Sequence, residues 1–198
     1  EAHPGATALF VLGCGGDQNP YPRRELELAE QHGRTLANAV ETALETNAKP
    51  LSGPLKTTLG RATVEYQTPP TREQLLKQAQ SNDKYDRRHA ERLLAYLESE
   101  GSLRTSYDAP IQVLHLGDQV TLVGLPGETV VDYSLRLKAE LGSLDGSGPA
   151  IWIAGYCNDV FAYIPSRRVL LEGGYEAGDA MRYFTTVLQP GPFAPNVE

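Results

Sequence analysis

The chain opens on a nearly unbroken apolar run, Ala6 to Leu12, with the length and character of a strand covered on both faces. The run breaks in Gly13-Cys14-Gly15-Gly16-Asp17, a glycine-rich turn that Asn19-Pro20-Tyr21-Pro22 prolongs. From about Arg23 to Thr46 the spacing changes, and Leu26, Ala29, Gly33, Leu36, Val40 and Leu44 recur every three or four residues. That period predicts a helix with one buried stripe. Between Lys56 and Gln67 the pattern alternates, with Ala62, Val64 and Tyr66 on one side and Thr63 and Glu65 on the other, as in a strand with one wetter face. Pro69-Pro70-Thr71 then leads into a charged helical region from Arg72 to about Glu100, interrupted near Ser81-Asn82-Asp83. Leu93, Leu94 and Leu97 give it an apolar face, and Gly101 can stop it.

A hairpin follows, in which Ile111 to Leu116 and Val120 to Val123 are joined across Gly117-Asp118-Gln119, residues suited to the positive φ of a tight turn. Leu125-Pro126-Gly127-Glu128 ends the second strand, and a helix is expected from about Glu128 to Leu141, stopped at Gly142. A Gly/Ser-rich linker, Ser143 to Pro149, separates it from the strand Ala150 to Ala154, which exits through Gly155-Tyr156-Cys157-Asn158-Asp159. Strands alternate with helices and one hairpin adds an antiparallel element. The expected fold is a single α/β domain over 1–198, with a mixed, mainly parallel sheet, helices on both faces and one β-hairpin.

Composition narrows the functional classes. The 25 acidic and 18 basic side chains leave a net charge of -7, and no run of Lys and Arg offsets it locally, which argues against nucleic-acid binding. The longest apolar stretches are of strand length and too short to cross a bilayer. The two cysteines, Cys14 and Cys157, cannot form a disulfide scaffold and lie in no C-x-x-C pair. The absence of an initial Met, and a Pro-rich close at Gly191 to Asn196 that reads as a connection, mark the chain as a piece of a longer polypeptide in this reading.

Polar chemistry gathers at three strand exits, Gly13 to Asn19, Gly124 to Glu128 and Gly155 to Asp159. In open α/β sheets the crevice beyond the strand ends is the usual ligand site. If these strands are neighbours, Asp17, Glu128 and Asp159 converge there. Each also has an ordinary structural role open to it: Asp17 in its own turn, Asp159 as a cap, and Glu128 at the N-terminus of a helix, where a carboxylate is favoured. Gly13-Cys14-Gly15-Gly16 lacks both G-x-G-x-x-G and a Lys-Ser/Thr pair, so it is a poor phosphate loop. A Cys–His nucleophile built from Cys14 or Cys157 with His32, His89 or His115 is weak as well, because those histidines fall in helical or strand patterns that packing or solvent explains. Neither H-x-x-x-H nor H-E-x-x-H occurs, so the chain is not expected to complete a conventional zinc site alone.

Leu125-Pro126-Gly127-Glu128, with Asn158 to Pro165 and Gly173-Gly174-Tyr175-Glu176-Ala177, resembles the neutral/alkaline, non-lysosomal ceramidase family. The resemblance is to the C-terminal part of that family's catalytic domain. It implies that Glu128 and Tyr163 are zinc ligands and that Tyr175, twelve residues beyond Tyr163, hydrogen-bonds the reacting carbonyl. It further implies Zn2+ completed by histidines upstream in the same polypeptide, which this chain lacks, so that the isolated chain is expected to be inactive. The family's early G-D/N-x-S-P-N hexapeptide corresponds to Gly16-Asp17-Gln18-Asn19-Pro20-Tyr21, with Asn19 in the serine's place. That departure puts a serine mechanism in doubt and leaves attack by water. Its C-terminal immunoglobulin-like domain is also missing here.

The function implied is zinc-dependent hydrolysis of an N-acyl amide, with a ceramide-like lipid giving a fatty acid and a sphingoid base. Two alternatives stand beside it: a related metal hydrolase acting on another amide or ester, and a noncatalytic α/β binding or structural module. The resemblance also implies an exported protein. Cys14 and Cys157, each just past a strand end, are expected to lie close together, and a disulfide between them would support export. If sheet strands are supplied by the rest of the polypeptide, an exposed edge and self-association are expected.

Overall fold

The longest ladder in the protein follows from the alternating pattern around Val64. In the computed structural model, which describes residues 3–46, 50–142 and 147–198, Leu55–Glu65 (β1) runs antiparallel to Ser106–Leu116 (β2), with Leu55 opposite Leu116 and Glu65 opposite Ser106. Gly117, at φ 57°, turns the chain into Val120–Gly124 (β3), which pairs antiparallel with β2 as the hairpin signal predicted. A two-residue strand, Glu128–Thr129 (β4), and a helix, Val131–Leu141 (α4), then carry the chain over to Ala150–Ala154 (β5), parallel to β3. The sheet order is β1-β2-β3-β5.

The α/β class and the mixed sheet agree with the sequence reading. The expectation of mainly parallel pairing is corrected for this sheet: β1–β2 and β2–β3 are antiparallel and only β3–β5 is parallel. A parallel pair requires a crossover, and within the sheet only the segment containing α4 supplies one. The linker residues 143–146 lie outside the described residues.

The charged region resolves into Arg72–Gln78 (α2) and Lys84–Glu100 (α3), broken where Ser81-Asn82-Asp83 indicated. Thr71 and Gln74 form a reciprocal capping box on α2. Asp83 caps α3 by accepting from the backbone N–H of Tyr85 at 2.7 Å and of Asp86 at 3.2 Å, and Gly101 ends it in the left-handed conformation. Leu75, Ala90 and Leu93 bury themselves between the two helices.

The main core draws on all four strands of the sheet, through Val64, Ala109, Val123 and Ile153, and on α4 through Tyr133. It gathers Val64 and Tyr66, Val123, Ile153, Val130, Tyr133, Phe161, Ile164 and Phe193. Tyr66 stacks on Phe193 at 5.1 Å, and Tyr107 on Phe161 at 4.1 Å. The Pro-rich C-terminal stretch is pinned there by backbone bonds from Gln67 N–H to Pro192 O and from Ala194 N–H to Glu65 O, both 2.8 Å.

Two apolar patterns are placed differently from expectation. Leu26–Leu44 is a helix (α1), but it buries no residue, and Leu26, Leu36, Val40 and Leu44 stand exposed. Residues 6–12 form no ladder among the described residues, and Leu9 and Phe10 are 86% and 74% exposed. The Leu12 carbonyl ties the segment to the chain just past β5, accepting from Gly155 N–H at 3.1 Å. Periodicity reports that a face is apolar; it does not report what covers it. Beyond β5, where the sequence pattern gave no clear element, the chain forms Tyr163–Ile164 (β6), Arg167–Glu172 (α5) and a 3-10 turn over Asp179–Tyr183.

Candidate functional site

The site is assembled by backbone close approach. After β3 the chain turns at Gly127, at φ 68°, where a Cβ would stand 2.7 Å from Ala162 O and 2.8 Å from Ile164 Cγ1. This lets β4 lie directly against β6, with Glu128 N–H donating to Ala162 O at 2.7 Å and Val130 N–H to Ile164 O at 3.2 Å. The ladder is parallel and two residues long, placing Glu128 opposite Tyr163 and Thr129 opposite Ile164. Side chains alternate across a strand. Thr129 and Ile164 accordingly point into the core, while Glu128 and Tyr163 share the other, half-buried face.

Glu128 is therefore a strand residue and does not begin a helix, which corrects the sequence expectation. The helix starts three residues later, at Val131. Its first N–H is served by Asp17, whose Oδ1 accepts from Val131 N–H at 2.9 Å. The favourable electrostatics of a carboxylate at a helix N-terminus thus belong to Asp17. The glycine-rich turn braces β4 from the other side: Gly16 N–H donates to Thr129 O at 3.0 Å, and a Cβ on Gly16 would lie 2.3 Å from Glu128 O. That contact occupies the N–H of Gly16, so this turn serves as a strut for the strand.

The three glycine-containing turns do meet, although residues 6–12 ahead of the first form no strand, and of the three acidic side chains two are engaged elsewhere. Asp159 accepts a short hydrogen bond from the Tyr107 hydroxyl, and its carbonyl accepts from Gly127 N–H at 2.7 Å. With Asp17 engaged at α4, Glu128 is left among tyrosines. Tyr163 faces its side chain across the β4–β6 ladder, and the Tyr156 hydroxyl donates to Glu128 Oε2 at 3.3 Å. Tyr175 meets Tyr163 edge-on at 5.4 Å between ring centroids. Beyond it Tyr175 and Tyr183 lie 6.1 Å apart and Tyr183 and Tyr85 4.8 Å apart, so an aromatic file leads away from Glu128 over the surface.

Burial first, and the Glu128 carboxylate second, push the phenol of Tyr156 up to about 12. The same two causes raise Tyr163 further, because they disfavour a second negative charge in the same place. Tyr175 is raised by burial and then by its neighbours Tyr183 and Glu128. All three phenols are protonated near neutral pH and can donate hydrogen bonds.

The three residues singled out by the resemblance, Glu128, Tyr163 and Tyr175, are thus brought together. Tyr156 is a fourth member that sequence reasoning placed only in a turn. Its position just after β5 on a strand exit was the available signal. Cys14 and Cys157 form no disulfide: both thiols are free, and burial pushes Cys14 up to about 11. His32 binds Pro22 O at 2.9 Å, His89 binds Gln189 O at 2.8 Å and His115 binds Thr121 Oγ1 at 3.0 Å, and none of these bonds is to a sulfur. Among the described residues no group of three or more His, Cys, Asp or Glu side chains is arranged to hold a metal ion.

Over 73 residues the chain is 32% identical to a neutral ceramidase of Mycobacterium tuberculosis, a match that covers 36% of this chain and 11% of the relative. No protein-family profile matches the chain, and no solved structure matches it. Among the described residues no helix is long and apolar enough to cross a membrane.

Proposed function

We propose that this chain carries part of the active site of a zinc-dependent hydrolase that cleaves an N-acyl amide, a ceramide-like lipid being the substrate class. The observation that carries the reading is the cross-strand pairing of Glu128 with Tyr163, with the Tyr175 ring 5.4 Å from that of Tyr163. These are the residues that the resemblance assigns to metal and substrate, and the partial likeness to a neutral ceramidase supports the same chemistry.

The donor types fit a partial ligand set. A carboxylate and a phenol, held on one face of a rigid two-residue ladder, offer hard oxygen donors of the kind zinc accepts, and the nitrogen donors would come from the rest of the polypeptide. Zinc, when bound, supplies Lewis acidity and lowers the pKa of water near it. The chain's own residues do the rest. Glu128 brings the negative charge that attracts a cation, and Tyr163 supplies its oxygen from the neighbouring strand. Tyr175, 46% exposed and protonated, stands where a substrate carbonyl can reach it. Its hydroxyl can donate to that oxygen as negative charge develops during attack by water, before the C–N bond breaks and the amine leaves.

The test is zinc content and amide hydrolysis in the full polypeptide that contains this chain. Glu128→Gln and Tyr163→Phe are expected to lower bound zinc, and Tyr175→Phe to keep zinc while lowering kcat by about 100-fold or more, the usual effect of losing one oxyanion donor. Zinc binding unchanged in both ligand variants would point to the noncatalytic module instead. Cleavage of other acyl amides with ceramide left intact would move the substrate class while keeping the chemistry.

A further inference from the structure

Tyr156 is built into the site at a conformational cost. It is an aromatic residue at φ 57°, in the left-handed region that bulky side chains rarely occupy. Residues held in such conformations persist where surrounding contacts over-determine them. Here the contacts are specific. Tyr156 N–H donates to Gly127 O at 3.0 Å, fixing its main chain to the turn that leads into Glu128. Its ring lies beside Gly15, where a Cβ would come within 3.7 Å of the hydroxyl and 3.8 Å of Cε2. The hydroxyl then donates to Glu128 Oε2 at 3.3 Å.

We infer that Tyr156 is a positioning residue for Glu128, an assignment that rests on the metal reading given above. A carboxylate has about four acceptor sites, so it can receive Tyr156 on one oxygen and still present lone pairs beside Tyr163. Free to rotate, it would offer them in many directions. With Oε2 held from the β5 exit and the backbone held by β6, the carboxylate is oriented by two strands at once. Hydrogen-bond partners that orient a metal ligand in this way are commonly worth 10- to 100-fold in metal affinity. Tyr156 is not a ligand in this arrangement, and substrate need not touch it.

The experiment measures the zinc dissociation constant of the full polypeptide by competition with a chromophoric chelator, for wild type, Glu128→Gln and Tyr156→Phe. Phenylalanine keeps the ring and removes only the hydroxyl, and the melting temperature of the zinc-free forms shows whether the fold has changed. The expected result is weaker zinc binding in both variants, by about 10- to 100-fold in Tyr156→Phe, with the zinc-free melting temperature of Tyr156→Phe close to that of wild type. If Glu128→Gln weakens zinc and Tyr156→Phe does not, the positioning role is overturned and the metal reading stands. A loss in Tyr156→Phe that comes with a matching loss of zinc-free stability also overturns it, since the tyrosine would then be structural. If wild type binds no zinc, or Glu128→Gln leaves its affinity unchanged, the metal reading falls and the role of Tyr156 with it.

Discussion

Gly16→Ala isolates the brace that holds β4 in place. The added methyl would lie 2.3 Å from Glu128 O, 2.9 Å from Glu128 C and 3.1 Å from Thr129 C. All three are backbone atoms, so no side-chain rotation relieves the clash, and the turn must move off the strand. Overpacking of this kind costs roughly 1–3 kcal/mol, and weakening the Gly16 N–H to Thr129 O bond adds about 0.5–1.5 kcal/mol. For a domain of this size a loss of about 2 kcal/mol lowers Tm by about 4–8 °C. Gly33→Ala is the matched control, because a Cβ there meets nothing within 4 Å and the residue sits inside α1. Alanine in a helix interior is favoured over glycine by about 0.5–1 kcal/mol, so this variant should melt no lower than wild type. The assay is thermal unfolding by circular dichroism in the presence of a chelator, which keeps metal linkage out of Tm. Gly16→Ala melting with wild type, or both variants falling equally, would refute the reasoning, since the effect would then not depend on the strut.

Two further substitutions probe the packing that carries the site. Tyr133, on α4, is buried and donates toward Pro165 O at 3.2 Å and Val197 O at 3.1 Å, tying the helix to the segment after β6 and to the C-terminus. Tyr133→Phe should cost about 1 kcal/mol in urea unfolding, and an unchanged midpoint would mean those carbonyls are satisfied without it. Burial holds the His89 pKa below its ordinary value, against the opposing effect of its bond to Gln189 O. Between the folded and unfolded pKa values the unfolded chain binds a proton that the folded chain does not. Stability should therefore be fully present above about pH 6.5 and decline as pH falls from there through the lowered folded pKa. His89→Gln should flatten that decline in unfolding measured at pH 8 and at pH 5.5, and an equal slope in the variant would exclude His89 as its source.

Local signals announced most of the elements. Gly117 set the hairpin, Ser81-Asn82-Asp83 divided α2 from α3, and Gly101 ended α3, because each depends on the chemistry of a few adjacent residues. The chain after Asp159 was not legible in the same way. A two-residue strand such as Tyr163–Ile164 has no period to detect, and its pairing with Glu128–Thr129 is a long-range event. The same limit explains Glu128, which stands just ahead of a helical pattern and so passes for its first residue until β6 is seen beside it. Asp17 and Asp159 were visible as turn carboxylates, but only packing shows that one caps α4 and the other accepts from Tyr107. Tyr156 gave no motif at all. Its role depends on a left-handed conformation that the residue type would argue against.

The β4–β6 ladder also constrains how this region can diverge among relatives. Thr129 and Ile164 are buried on one face while Glu128 and Tyr163 occupy the other. A slip of one residue along a strand exchanges its faces. Inserting or deleting a single residue between Asn158 and Ala162, if it shifted β6 by one place, would send the Tyr163 phenol into the core and bring an aliphatic side chain beside Glu128. At the exposed Val160 substitutions can accumulate, while Asp159 and the buried Phe161 are held by Tyr107; a change in the length of the connection would dismantle the pair. Spacing should therefore outlast residue identity at Val160.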